Sequence, residues 1–459
     1  MAPLSLACPT RAESPGALST VEGLKPVAAS LRVLRAGGGF CSPVQPRVPA
    51  NHPNSGALPP LTRLDSTAAA SPERRFPPAR PEVEHLKAYS APLEGRRNLL
   101  RLDFNENTVG PSPRVVEALR AIPAEAIAIY PEYDGLREAV VANLGDRSGG
   151  RPGLARPLDP AQIGLFNGVD AAIHAVFHAY GDRGDTLLTT SPTFGYYSPC
   201  AQMQGMAIEA IPYRLPDFAF PLEEIRAALL GPDGHGQAAA DSTWQPPRLL
   251  LLCNPNNPTG TRLAPKPILE LAAAAPDTLV VVDELYEAFT GDSVLPLADF
   301  EATPNLVVLR SLAKTAGLAG LRMGFAIGAA PVIDRISRVT GPYDINSLAV
   351  TAAHAALADQ AYTDAYVAEV ARARAWLLTQ LQTAGVRHHA DGGNYLLLWP
   401  EQPPAVVEQR LRQAGVLVRS MAGKPLIDGS LRVSLGSSEQ MRQFWAAYAA
   451  IEGLDTGGG

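Results

Sequence analysis

The sequence predicts an α/β protein: a large domain built on a mostly parallel sheet with helices on both faces, then a smaller C-terminal α+β domain. Three observations predict it. Short apolar runs recur, separated by stretches of helical text. Each of these runs stops at a cluster of Gly, Pro, Asn, Asp, Ser or Thr. Past about Tyr343 the pattern changes to long helical stretches followed by short strands.

Residues 1 to about 80 are rich in Pro, Ala, Ser and Arg, poor in acids and without periodicity. They read as a disordered extension, either a dispensable tail or an over-long start, with a transit peptide as the alternative. Globular text begins at Pro81, and residues 81–340 are expected to hold an arm and the large domain. The arm is Leu100 to Pro113, after which Ser112 caps a helix with Pro113 at its first position. A second helix opens after Tyr130-Pro131-Glu132-Tyr133-Asp134-Gly135.

The strand series follows. Ile163 to Phe166 runs into Asn167-Gly168-Val169-Asp170 and a helix over Ala171 to Tyr180. Thr186 to Thr190 ends in Ser191-Pro192-Thr193-Phe194, and Leu249 to Cys253 in Asn254-Pro255-Asn256-Asn257-Pro258-Thr259-Gly260. Leu279 to Val282 ends in Asp283-Glu284-Leu285-Tyr286, and Leu306 to Leu309 leads into Ser311-Leu312-Ala313-Lys314. Gly324 to Ile327 is one more strand, and residues 231–247 read as a surface insertion. In the second domain, expected over 341–455, helices span Ser347 to Ala358 and Tyr362 to about Ala384. Strands follow at Asn394 to Trp399, Val416 to Arg419 and Leu431 to Leu435, and a capping box of Ser437 and Gln440 starts the last helix.

Composition narrows the function. The chain has 459 residues, 46% hydrophobic and 18% charged, with a formal net charge of -6. That balance supports a sizeable core and gives no basic footprint for nucleic acid. Cys8, Cys41, Cys200 and Cys253 form no close pair, which argues against a zinc site or a disulfide framework and for a reducing, cytoplasmic setting. No apolar run approaches the roughly 18 residues of a membrane span.

The chemistry concentrates at Ser311 to Arg322, where one lysine sits among small residues and glycines. Burial lowers a lysine's pKa and frees its amine as a nucleophile. Ser311 and Arg322 flank it with a hydroxyl and a fixed cation suited to a phosphate. Amine plus phosphate grip suggests pyridoxal 5'-phosphate held through Lys314; a surface loop with a solvated lysine is the bland alternative. The motifs converge, however. In parallel sheets ligands lie at the carboxyl ends of the strands, and each motif above falls at such an end.

Together the motifs resemble the class I/II aminotransferases of fold type I, and among them the histidinol-phosphate aminotransferase branch. The resemblance runs from about Leu86 to Ile451 and rests on Asn-Pro-Asn-Asn-Pro-Thr-Gly, Asp-Glu-Leu-Tyr and Ser-Leu-Ala-Lys…Gly-Leu-Ala-Gly-Leu-Arg in that order. It implies that Lys314 is the Schiff-base lysine and proton shuttle, and that Asp283 pairs with the cofactor's pyridine nitrogen. Asn257 and Tyr286 would hydrogen-bond the ring's 3-oxygen, and Phe194 would stack on the ring. Ser311, Arg322 and the backbone at Gly168 and Val169 would hold the phosphate, with Tyr130 reaching the phosphate of the other subunit of a homodimer. Arg432, Arg419 and Asn394 would meet the substrate.

The implied reaction joins an amino donor to a 2-oxo acid acceptor, histidinol phosphate with 2-oxoglutarate first. An aromatic amino acid aminotransferase and a threonine-phosphate-decarboxylase-like enzyme are the alternatives within the fold. A non-catalytic regulator that senses the cofactor is the alternative outside enzymes. One departure bears on substrate: where the family's arm usually reads Asn-Glu-Asn-Pro followed by an aromatic, this chain has Asn105-Glu106-Asn107-Thr108-Val109.

Overall fold

The computed structural model describes residues 77–87, 94–148, 151–232, 234 and 244–454. The expected N-terminal extension up to residue 76, most of the 231–247 insertion, Cys8, Cys41 and the terminal glycines lie outside the described residues.

A seven-stranded sheet forms the larger layer. Its strands are β2 (Ile163–Asn167), β3 (Thr186–Ser191), β4 (Ala207–Pro212), β5 (Leu249–Cys253), β6 (Leu279–Asp283), β7 (Leu306–Ser311) and β8 (Met323–Gly328), in the spatial order β2-β8-β7-β6-β5-β3-β4. The run β4-β3-β5-β6-β7 pairs in parallel throughout. Every residue of β5 and β6 is buried, which is why both read as continuous apolar text. The edge strand β4 has no buried residue, and its mixed sequence gave no strand signal.

β8 runs antiparallel to both of its neighbours. Its start therefore lies beside the carboxyl ends of β2 and β7, with Met323 opposite Asn167 and Gly324 opposite Ser311. This reversal carries the lysine segment, which links β7 to β8, back to the end of the sheet where the other motifs stand.

The second sheet has four antiparallel strands: β9 (Arg387–His389), β10 (Tyr395–Trp399), β12 (Arg419–Ser420) and β13 (Leu431–Ser434), ordered β12-β13-β10-β9. The single strand expected over Val416 to Arg419 is in fact two pieces, because the chain changes partner. Val416–Leu417 (β11) pairs with Leu100–Arg101 (β1) of the arm, whereas β12 turns to β13. The arm's Leu102 accordingly packs in the core of this second sheet, with Leu396, Val418 and Val433.

Helices cover both layers. Val169–Tyr180 turns Ile173, Val176 and Phe177 inward. The long helix Gln360–Thr383 buries Thr363, Tyr366, Val370, Ala373, Leu377 and Leu381, one stripe at three- and four-residue spacing. Ser112 accepts from the Arg114 N–H ahead of Pro113, and Ser437 and Gln440 form the reciprocal cap of the last helix, Ser438–Glu452. Among the described residues no helix is long and apolar enough to cross a membrane.

Candidate active site

Lys314 lies just beyond the carboxyl end of β7, part-buried, and its Nζ donates to the carbonyl of Phe104 at 2.9 Å. Burial, then the nearby Arg432 guanidinium, pull its pKa down to about 8; Glu106 and Asp170 act in the opposite sense. The amine is thus far easier to deprotonate than a solvated lysine, as its tight setting predicts. Ser311 Oγ accepts from the Ala313 N–H at 3.0 Å and donates to the Met323 carbonyl at 3.1 Å, which closes the base of the loop.

Asp283 ends β6 and is 2% exposed. Burial pushes its carboxyl up to about 6, against the hydrogen bonds it accepts from Tyr197 OH at 2.7 Å and the Leu285 N–H. Three residues on, the Tyr286 hydroxyl accepts from Asn257 Nδ2 and Asn105 Nδ2, each at 3.2 Å. The turn after β5 is locked by its own asparagines: Asn254 exchanges two hydrogen bonds with Leu263, and Asn256 donates to Pro192 and Thr259. This lock leaves the third, Asn257, facing Tyr286.

A cradle forms where the helix Val169–Tyr180 begins. Gly168 caps that helix at φ +79°, and a Cβ there would lie 2.5 Å from Arg322 Nη2. A Cβ on Gly324 would lie 2.6 Å from the Gly168 carbonyl carbon and the Val169 nitrogen. Both glycines are needed for this approach. The Val169 side chain points into the core, so the helix start offers backbone N–H groups without helical partners. Arg322 pairs with Asp170 at 2.6 Å. Backbone donors, a guanidinium and a glycine floor fit a phosphate, so the residues present fit a phosphate-bearing cofactor.

From the second sheet, Arg419 and Arg432 stand opposite each other in register on β12 and β13, so they share a face. Arg432 is buried and donates to Asn257 Oδ1 at 2.7 Å and to the Asp103 carbonyl at 2.6 Å. Arg419 lies over the Phe104 ring, 5.6 Å from its centroid, and Arg96 stacks on the same ring at 4.4 Å. Asn394 donates to the Asn105 carbonyl at 3.2 Å.

Hydrogen bonds through the arm and the asparagine turn thus gather Lys314, Asn257, Tyr286, Asn394 and Arg432, with Arg419 in register beside Arg432 and Asp283 three residues before Tyr286; Gly168, Val169, Ser311 and Arg322 form the phosphate-fitting cradle. Phe194 stands edge-on to Tyr197, 5.5 Å between centroids, and Tyr197 is the tyrosine that donates to Asp283. Tyr130 stands apart: it is 72% exposed and stacks on Tyr343 at 4.2 Å.

Sequence reasoning missed four contributors: Phe104, Asn105, Tyr197 and Ser434. Asn105 is held at φ +55° with Ser434 Oγ bonded to both its N–H and its Oδ1. Asparagine, a residue type enriched in the left-handed conformation, at the head of the Asn-Glu-Asn arm was the available signal. Tyr197 had none, since it reads as a helix residue after a turn. The arm's departure from the family has a counterpart here: Thr108 Oγ1 donates to Gln440 Oε1 at 2.6 Å, and Gln440 Nε2 returns to the Thr108 carbonyl.

A parallel sheet with one reversed strand, a lysine on that reversal and a phosphate cradle beside it define a pyridoxal-phosphate enzyme, and the chain belongs to the aminotransferase class I and II family, whose sequence model matches residues 97–447. It is a pyridoxal-phosphate-dependent aminotransferase. It is 34% identical over 386 residues to histidinol-phosphate aminotransferase 2 of Pasteurella multocida, covering 81% of this chain and 97% of that one. It is 33% identical over 387 residues to the histidinol-phosphate aminotransferase of Symbiobacterium thermophilum, covering 82% and 98%. The fold is also that of the Sinorhizobium meliloti histidinol-phosphate aminotransferase solved with pyridoxal-5'-phosphate, at TM-score 0.69 and 23% identity over 82% of this chain and 98% of that chain.

Proposed function

We propose that the chain transfers an amino group between histidinol phosphate and 2-oxoglutarate. The observation that carries this reading is the in-register pair Arg419 and Arg432 on one face of the second sheet, beside the lysine's neighbourhood. Two guanidiniums suit a dianionic phosphate at the end of an amine, and the same pair serves the two carboxylates of the acceptor. An aromatic amino acid carries one anionic group and needs one of them.

The residues divide the work as follows. The cofactor, when bound, supplies an electron sink for the bonds at the substrate's amine-bearing carbon. Lys314 would hold it through Nζ and, as an amine whose pKa burial lowers to about 8, would take and return the proton at that carbon. Asp283, buried at the end of its strand, would keep a proton on the ring nitrogen. Asn257 and Tyr286 would donate to the ring's 3-oxygen, and Phe194 would stack on the ring. Ser311, Arg322 and the backbone of Gly168 and Val169 would hold the phosphate. Asn394 fixes the arm through Asn105, and so the Phe104 carbonyl on which Lys314 rests.

The reading includes a homodimer with shared sites. Tyr130, Ile127, Ile129 and Tyr343 are all exposed, an apolar group that a second copy would cover while Tyr130 reaches that copy's phosphate. It divides the chain into a large domain over 81–340 and a small one over 341–455; the two sheets have separate cores, but Ile345, Ala349, Val350 and Ala353 pack in the first and Leu102 of the arm in the second. It places the protein in the cytoplasm, consistent with Cys200 and Cys253 being free and buried.

The test is kcat/KM for histidinol phosphate against phenylalanine with 2-oxoglutarate as acceptor, before and after Arg419→Ala. Losing one charge-assisted pair should cost about 1.5–3 kcal/mol, roughly 10- to 150-fold, with histidinol phosphate and much less with phenylalanine. A wild-type preference for phenylalanine, equal losses on both, or carbon dioxide release from an amino-acid phosphate would overturn the assignment.

A further inference from the structure

The helix Val169–Tyr180 turns its apolar residues inward, and four residues apart on another face it carries His174 and His178. Residues at that spacing stand one above the other on a helix. Their Nε2 atoms are 3.2 Å apart, with ring centroids at 4.4 Å and ring planes at 75°. His174 is half-buried against the body of the protein and His178 is exposed. Neither ring touches the site described above.

We propose that His174 and His178 form a binding site for a divalent transition-metal cation of the zinc, copper or nickel class, ligated through both Nε2 atoms. The separation carries the argument. Zinc–imidazole bonds are about 2.0–2.1 Å, so a cation equidistant from two nitrogens held 3.2 Å apart sees them at roughly 100–106°, close to the tetrahedral angle. Two histidines at this spacing are how a helix offers a cation two ligands without moving its backbone. At 3.2 Å the same two atoms form a ring-to-ring hydrogen bond in which one Nε2 carries the proton, and the cation takes its place once that ring carries its proton on Nδ1 instead.

An imidazole ligates a metal in its neutral form. With each N–H at Nδ1, both Nε2 lone pairs are available; the cation exchanges two waters for two nitrogens and no proton is released. Among the described residues no cluster of three or more His, Cys, Asp or Glu could hold a metal, so the remaining positions belong to water or to a ligand from outside the chain. Asp170, one turn before His174, is committed to Arg322 at 2.6 Å. The site is therefore open, and it stands independently of the transamination reading.

The test uses tag-free holoenzyme titrated with Zn2+ against a chromophoric chelator. One site per chain is expected whose affinity falls at least tenfold in His174→Gln and equally in His178→Gln, with the double variant little worse than either. His388→Gln should leave it intact. Cu2+ should bind tighter than Zn2+, and its electron paramagnetic spectrum should show two equatorial nitrogens, reduced to at most one in either variant. Because His178 is exposed, His178→Gln keeps the fold, which circular dichroism checks. A wild-type Zn2+ affinity no higher than that of His178→Gln, or an equal loss in His388→Gln, overturns the proposal.

Discussion

Removing one hydroxyl, in Tyr197→Phe, tests how the protein keeps a dry carboxylate ionised. Tyr197 is wholly buried and donates to Asp283 Oδ2 at 2.7 Å. A hydrogen bond to a charged acceptor contributes about 1.5–3 kcal/mol, and each pKa unit is about 1.36 kcal/mol, so the bond is worth roughly 1–2 units. The bond favours the ionised form; its loss raises the pKa. Asp283, already pushed up to about 6 by burial, should move to roughly 7–8. At pH 7 the ionised fraction then drops from about nine-tenths to between a half and a tenth. If Asp283 is the partner of the cofactor's ring nitrogen, affinity for pyridoxal phosphate at pH 7 should fall about two- to tenfold from this cause, and the deficit should fade above about pH 9. The assay is cofactor affinity by fluorescence titration of cofactor-free protein from pH 6 to 9, wild type against Tyr197→Phe. A ratio that stays flat with pH, or grows as pH rises, would refute the reasoning, because a purely structural defect has no reason to titrate.

Other outcomes follow from the same geometry. Lys314→Met should stabilise the cofactor-free protein at pH 7 by about 1–3 kcal/mol, since the native lysine holds its charge there at a pKa of about 8 instead of 10.5. The unfolded chain binds the extra proton between those values, so wild type gains stability as pH rises from 8 to 10.5 and the variant's advantage should shrink in urea melts over that window; an advantage that grows with pH would contradict it. Gly324→Ala should weaken cofactor binding at least tenfold, about 1.4 kcal/mol, because its Cβ would sit 2.6 Å from the Gly168–Val169 backbone; unchanged affinity in an equilibrium dialysis measurement would show that the cradle does not hold the phosphate.

What could be read in advance was what is local. The Lys314 segment, the asparagine turn and the Asp283–Tyr286 pair are contiguous motifs at the ends of wholly buried strands, and burial on both faces writes an unbroken apolar run into the text. What could not be read depends on partners far along the chain. Tyr197 meets Asp283 across 86 residues, and Asn105 meets Ser434 across 329. The break between β11 and β12 and the reversal of β8 are choices of neighbour, and no periodicity records them. β4 escaped for the opposite reason: an unburied edge strand is under no pressure to be apolar.

The Thr108 position shows what a change of residue in the arm brings with it. By sequence, the missing proline and aromatic bear on the substrate, because they reshape the arm over the pocket. In the structure Thr108 and Gln440 exchange two hydrogen bonds, while Gln440 also caps the helix Ser438–Glu452 by accepting from the Ser437 N–H at 2.9 Å. One glutamine thus serves the helix start and the arm together. The neighbouring Asn107 donates to the Thr315 carbonyl at 2.9 Å, next to Lys314. Rigidity that a proline would place in the backbone is here supplied by side chains, and it links the arm over the lysine to the last helix of the chain.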